Sequence, residues 1–319
     1  MIKFPSIEQF RNIIRTVKER HDYQGKNELD EPIYQHLSPY PTIKFKGTTK
    51  LHGTNSGIVK YKDRIEFQSR ERVLSLNQDN AGFMLAMMNK NLDFLFEGIE
   101  FSESIAIFGE WCGQGIHKGV AVSNLPKMFV IFGCKVDDEW INFSKSEPSQ
   151  SIFNIGDFKT WEIDIDFENP ELTQNQLIEW TLEVEDKCPV GLHFGIEGVG
   201  EGIVFQTNFN GQNLIFKSKG EKHSASKVKT ISSVNVDEIN SINEFVDYVL
   251  TESRLNQGIE KLKEAGKEVN QKSTGDFLRW VVNDVIKEEQ DTIVENQLDP
   301  KKINSAISNK ARLWFFNNF

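Results

Sequence analysis

The chain has 319 residues, of which 38% are hydrophobic and 26% charged, and its formal net charge is −10. That composition excludes a disordered chain and predicts a packed globular protein of one large domain or two ordinary ones. Three cysteines without a CxxC pair exclude a zinc ribbon or a disulfide framework and suit a reducing cytoplasm.

The longest apolar run, residues 128–134, is too short for a bilayer span, and the N-terminus has no apolar leader. The expectation is therefore a soluble cytoplasmic protein with no membrane partner, working as a monomer. The acidic total argues mildly against nucleic acid, but the charge is segregated. Residues 41–72 hold eight Lys/Arg against three Asp/Glu, residues 213–230 hold five against one, and residues 137–186 hold two against fourteen. Two basic stretches can converge on polyphosphate, while the acidic one reads as a solvated surface.

Along the chain, Ile7, Phe10, Ile13, Ile14 and Val17 fall at helical spacing and predict an amphipathic helix over residues 6–20. From about residue 41 to 71 the pattern alternates as strands, with Ile43 and Phe45 against Lys44 and Lys46. Residues 80–98 and 171–184 read as helices, and 105–108 and 128–135 as buried strands. Residues 201–206 and 214–219 read as a strand pair around a turn at 208–211. After about residue 230 no strand is convincing, and helices are predicted over 237–251, 256–270, 274–289 and 300–316. The expected architecture is α+β, with a sheet-rich domain over residues 1–232 and an all-helical domain over residues 233–319.

The sharpest local signal is Thr48-Thr49-Lys50-Leu51-His52-Gly53-Thr54-Asn55, a lysine at the end of a predicted strand running into a glycine turn. Lysine is a nucleophile only once its ammonium loses a proton, which burial or neighbouring positive charge favours; Lys44 and Lys46 on the same strand are candidate neighbours. A bare KxxG tetrapeptide is more often a surface lysine before a tight turn. On residues 214–219, Lys217 and Lys219 share one face, and two co-directed ammonium groups suit a triphosphate. Glu201 and Ile203 share a face of the preceding strand, where a carboxylate could hold magnesium. Glu110 ends a buried apolar strand, where a carboxylate needs a partner. Phe132 offers an aromatic face, although a lone Phe on an apolar strand is more often core. His21, His36, His117, His193 and His223 show no metal-ligand spacing.

The sequence Lys50-Leu51-His52-Gly53-Thr54-Asn55 resembles KxHGTN, motif I of the bacteriophage RNA ligase 2 family and the RNA-editing ligases, which are covalent nucleotidyltransferases. The other motifs follow in family order over roughly residues 35–225. Ser69-Arg70 is similar to motif Ia, Phe108-Gly109-Glu110 to motif III, and Phe129-Val130-Ile131-Phe132 to motif IIIa. Glu201-Gly202-Ile203-Val204 is similar to motif IV and Lys217-Ser218-Lys219 to motif V. Glu197-Gly198 offers a second register for motif IV, but only Glu201-Gly202 is followed by Ile-Val. Gly133 stands where the phage relatives often carry an acid.

The resemblance implies a nucleotidyltransferase domain of antiparallel sheets, of the ATP-grasp-like adenylation type. It implies catalytic roles for Lys50 and His52, with His52 orienting phosphate or the acceptor end. It implies nucleotide contacts from Thr49, Leu51, Asn55, Arg70, Glu110, Phe132, Lys217 and Lys219, and a metal ligand in Glu201. The cofactors implied are ATP and Mg2+, with Mn2+ as a substitute, and the partner is RNA, foremost a nicked duplex. The activity implied is an ATP-dependent RNA ligase joining 3′-OH and 5′-phosphate ends through a lysyl-adenylate, placed in the cytoplasm or in a phage host's. The alternatives are a DNA ligase and a nucleic-acid-binding module with an inactive nucleotide site. A chain ending near residue 230 would keep every one of these nucleotide contacts.

Overall fold

A computed structural model gives the chain an α+β architecture built on two sheets that are antiparallel apart from one outer pair in each, and it describes residues 1–220 and 242–319. The N-terminal segment forms β1 (Glu8–Gln9), helix α1 (Phe10–Asp22) and the hairpin β2 (Tyr23–Lys26) and β3 (Pro32–Tyr34). The alternating stretch becomes β4 (Thr42–Lys50), β5 (Thr54–Lys60) and β6 (Ile65–Ser69). Helices α2 (Phe83–Met88) and α3 (Asp93–Phe96) follow, then β7 (Ile105–Cys112), β8 (Met128–Val136), β9 (Glu139–Ile141), β10 (Ile152–Asn154) and β11 (Thr160–Asp166). Helices α4 (Gln174–Asp186) and α5 (Pro189–His193) precede the hairpin β12 (Gly202–Phe209) and β13 (Gln212–Lys219).

The first sheet runs β1-β13-β12-β4-β11 and the second β10-β8-β7-β5-β6, with β9 on β8. Phe10, Ile13 and Val17 of α1 and Leu177 and Val184 of α4 bury against Phe45, Phe205 and Phe216 of the first sheet. The chain leaves the first sheet at Lys50 and enters the second at Thr54, so residues 51–53 are the crossing between them.

Two expectations need correction. The helix expected over residues 80–98 is two short ones, because Asn91 Oδ1 accepts from the Asp93 backbone N–H at 3.0 Å and restarts the helix there. The acidic stretch is not all solvated surface. Within it β11 alternates Trp161, Ile163 and Ile165 inward with Glu162 and Asp164 outward, and the two acids pair in register with Lys46 and Lys44 of β4.

Beyond residue 241 come α6 (Ile242–Val249), α7 (Glu252–Glu264), α8 (Thr274–Glu288), α9 (Gln290–Glu295) and α10 (Pro300–Asn318). Their core, including Phe245, Phe277, Val281, Ile307 and Phe315, draws only on residues of this segment. The expected boundary at 232/233 and the start of the helix expected over 237–251 lie outside the described residues. The short α9 was not anticipated. Among the described residues, no helix is long and apolar enough to cross a membrane.

Candidate active site

The crossing between the sheets has a shape only glycine allows. A Cβ on Gly53 would sit 2.4 Å from the Trp111 carbonyl oxygen and 2.9 Å from Glu110 Cγ. The Gly53 N–H can therefore reach Glu110 Oε1, to which it donates at 2.9 Å. The glycine of the KxHGTN segment thus fastens the turn to the end of β7.

Lys50, Gly202 and Lys219 lie in register across three neighbouring strands, β4, β12 and β13. Gly202 has φ +147°, and a Cβ there would meet the Ser218 carbonyl oxygen at 2.1 Å, so the Glu-Gly pair is required by the backbone. Glu201, 4% exposed, is held directly between the two lysines. Lys50 Nζ donates to Glu201 Oε2 at 2.7 Å, Lys219 Nζ lies 2.8 Å from Oε1, and His52 Nδ1 lies 3.4 Å from Oε2. Burial alone would raise the Glu201 carboxyl, but Lys219 and Lys50, with His52 beside them, hold it well below the usual carboxylate range. Burial brings Lys219 below the ordinary lysine value, with Glu201 opposing. Glu197, the alternative register, instead pairs at the surface with Lys187 at 3.6 Å. Lys46 sits four residues back, about 13 Å along the strand, so the cation beside Lys50 is Lys219 and not Lys44 or Lys46.

These groups line a cleft of ≈ 520 Å³ together with Thr49, Leu51, Asn55, Arg70, Glu110 and Phe132. Thr49 Oγ1 is buried there without a hydrogen-bond partner, a polar atom that a ligand would satisfy. Burial pushes the Glu110 carboxyl up to about 7, against the pull of the Lys50 ammonium. Phe132 sits edge-on to Phe4 with ring centroids 4.9 Å apart. At Gly133 a Cβ would lie 3.0 Å from the Trp140 ring, so indole fills the space that a side chain there would take.

One expected member is elsewhere. Lys217 does not line the cleft; its ammonium pairs with Glu288 of α8, and Glu288 with Asp284 holds it above the ordinary lysine value despite burial. Glu288 also meets Arg254 at 3.0 Å, and Arg254 reaches Asp284 at 2.9 Å.

The helical segment supplies what the motifs missed. Glu252, Ser253, Asn256, Gln257, Glu260 and Glu264 of α7 form one wall of the cleft. Arg72 Nη1 donates to the Glu264 carbonyl at 2.7 Å and His117 Nδ1 lies 3.1 Å from Glu260 Oε1. Their spacing, with 252, 253, 256, 257, 260 and 264 on one helical face, is the signal that was available. His117, which has no ligand spacing in sequence, meets His52 at a ring-centroid distance of 4.4 Å.

Comparison with protein families matches residues 43–219 to the RNA ligase family. The chain belongs to that family. The matched span contains every strand of the first sheet except β1, and every strand of the second. Among solved structures the chain is similar to an RNA ligase of Naegleria gruberi with PPi, at 17% identity and TM-score 0.43 over 69% of this chain and 56% of that one. A mutant of that ligase with AMP and Mn gives 15% identity and TM-score 0.43 over 69% and 56%. Another, with ATP and Mn, gives 18% and 0.43 over 69% and 57%. The chain thus spans a little over half the length of these structures. Comparison with curated proteins gives no match.

Proposed function

We propose that this chain is an ATP-dependent RNA ligase that joins 3′-OH and 5′-phosphate ends at nicks in duplex RNA. The observation that carries the reading is the placement of Lys50 Nζ, 2.7 Å from Glu201 Oε2 on the floor of the cleft, with Lys219 on the other carboxylate oxygen at 2.8 Å. Lys50 Nζ first gives its ammonium proton to solvent; the neutral amine attacks the α-phosphorus of ATP, the N–P bond forms as the bond to pyrophosphate breaks, and the second N–H proton of the attacking nitrogen leaves to solvent or pyrophosphate. Glu201, held so far below the usual carboxylate range, is a poor base, and its part is to aim Nζ. The AMP then passes to a 5′-phosphate, and a 3′-hydroxyl displaces it to close the strand. Each step is an in-line displacement, so positioning and charge neutralisation carry catalysis.

Residues 1–232 are the adenylyltransferase unit and residues 233–319 the helical unit in this reading. Thr49, Leu51, Asn55, Arg70, Glu110 and Phe132 would hold the nucleoside, and Lys219 the phosphates. Lys217 joins them once Glu288 releases it. Glu201, whose two oxygens face Lys50 and Lys219, would hold Mg2+ or Mn2+ once one of these ammonium groups turns to phosphate, with a single carboxylate leaving such an ion most of its waters. When bound, the ion supplies positive charge to the phosphate oxygens. His52, between Glu201 and the helical wall, would orient phosphate or the acceptor end.

The test is sealing of a nicked RNA duplex with ATP and Mg2+, beside the same nick in DNA and single-stranded RNA ends. Sealing of the RNA nick fastest is the expected result; preference for the all-DNA nick would replace the reading with a DNA ligase.

A further inference from the structure

The cleft adjoins a second cavity on the same face of the first sheet. Alternation along β4 puts Lys50, Thr48, Lys46 and Lys44 on that face, and Val204 and Gln206 of β12 stand in register with Thr48 and Lys46. The cleft covers the Lys50 end. The second cavity, also ≈ 520 Å³, covers the Lys46 and Lys44 end and reaches Trp140 on the second sheet. Thr48, Phe132, Ile155 and Gln206 line both cavities.

The orientation of a nucleotide in the cleft follows from its two ends, a step that rests on the function proposed above. The phosphates belong beside Lys50 and Lys219 and the base beside Phe132, so the base points toward the residues that the two cavities share. In adenine the edge remote from the glycosidic N9 carries the N6 amino group. N6 therefore leads, and the second cavity lies ahead of it. Gln206, a long unbranched side chain at the junction, can rotate aside without a change of backbone. Beyond it the floor is polar, with Lys46 followed by the amides of Asn208 and Asn213, which stand in register across β12 and β13. Glu162 also lines this space but lies 3.7 Å from Lys44, and Lys46 makes no ion pair among the described residues. Lys46 is two residues past Thr48, about 7 Å along the strand.

We propose that the second cavity is a subsite for a substituent on adenine N6, and that it selects an arm ending in an acidic group. A pentyl arm on N6 is long enough to bring a carboxylate to Lys46. There the carboxylate gains the lysine charge and the amide N–H donors of Asn208 and Asn213. An ammonium on the same arm meets Lys46 as a like charge. The preference is modest in size, because Lys46 is exposed and water screens the pair. ATP itself leaves the cavity to water. An arm on C8, beside the glycosidic bond, starts at the ribose end of the base and is driven against the walls of the cleft.

The test is titration calorimetry of the full chain with ADP and three derivatives: carboxypentyl on N6, aminohexyl on N6, and carboxypentyl on C8. The N6-carboxypentyl derivative should match ADP to within about threefold or bind more tightly. The aminohexyl arm should bind about fivefold more weakly than the carboxypentyl arm, the size of an exposed ion pair. The C8 isomer should bind about tenfold more weakly than ADP. Lys46→Gln should remove the difference between the two N6 arms. Asn208→Trp, which fills the floor, should weaken both N6 arms about tenfold and leave ADP unchanged. Circular dichroism checks the fold, and Asn213→Trp replaces Asn208→Trp if that variant is unfolded. Loss of N6-carboxypentyl binding, equal binding of the two N6 arms to the parent chain, a charge preference that survives Lys46→Gln, or a C8 isomer that binds as well as the N6 one would each overturn the proposal. Lysyl-AMP formation from ATP on the same preparations reports separately on the ligase reading. Labelling by ATP without N6-arm binding sinks only the subsite, and N6-arm binding without labelling sinks only the ligase.

Discussion

At the scale of single residues, the site is a set of charges that restrain one another. Glu201 is held ionised by two lysines and a histidine around it, and Glu110, which lines the same cleft, is pushed the other way by burial, up to about 7. For Glu110 the folded-state value is above the unfolded one, so the folded protein keeps a proton that the unfolded chain releases from about pH 4.5 upward. Stability from this group is present below that pH and is lost as pH rises through about 7. Glu110→Gln imitates the protonated acid and should be more stable than the parent at pH 8, by roughly 1–3 kcal/mol, with no difference below pH 4. Denaturant melts at the two pH values check this; an equal deficit at both would contradict the assigned burial. ATP affinity of the parent, if Glu110 accepts from the ribose as a carboxylate, should rise across the same window. Much of this site was legible in the residues themselves. Lys50, Glu110, Glu201 and Lys219 were marked chiefly by their resemblance to the family's motifs, with residue type and strand position as weaker support, and all four line the cleft. The pairing of Lys217 was not legible, because side-chain alternation puts Lys217 and Lys219 on one face but says nothing about which neighbour reaches each.

At the scale of elements, α8 and α7 change what the strands can do. The Lys217 ammonium, placed on β13 beside Lys219, is paired with Glu288, and Arg254, fully buried, holds that carboxylate together with Asp284. Glu288 thus occupies the cation proposed above to meet the triphosphate. Glu288→Gln removes the competing charge and should lower the KM for ATP in lysyl-AMP formation by about tenfold, in line with one charge-assisted hydrogen bond. An unchanged or raised KM would mean that Lys217 has no part in ATP binding. Arg254 itself is a different matter: truncating it leaves several buried carboxylates uncompensated, a loss of about 3–5 kcal/mol. The strands were readable where one face is buried, as in β4 and β7, since period-two alternation follows from that burial. β11 carries the same alternation in Trp161, Ile163 and Ile165, but the acids between them masked it as surface. α2 and α3 defeated the helical period because the side chains of Asn89 and Asn91 compete for the backbone.

At the scale of the whole molecule, the helical segment has its own apolar core but meets the sheets through charge. Arg11 of α1 reaches Glu289 at 2.8 Å, Lys287 reaches Glu8 at 2.9 Å, and Gln9 reaches Glu288 at 3.2 Å. Polar interfaces of this kind permit relative movement of the parts they join. The nucleotide contacts proposed all lie before residue 220, while α7 walls the cleft from outside. A chain ending near residue 230, if circular dichroism shows it folded, should still form lysyl-AMP yet seal RNA nicks at least tenfold more slowly, because the wall that faces the substrate is gone. Nick sealing at the full rate by the truncated chain would remove the proposed role of the helical segment.

The central claim is that Lys50 becomes the covalent carrier of AMP, and the most direct measurement is labelling with ATP radioactive at the α-phosphate, followed by peptide mapping. The account predicts a single adenylyl group on the peptide containing Lys50, discharged by added pyrophosphate. It also predicts no label in Lys50→Ala or in Lys50→Arg, whose guanidinium stays protonated. Label that persists in Lys50→Ala, or that maps to another lysine in the parent chain, would contradict it.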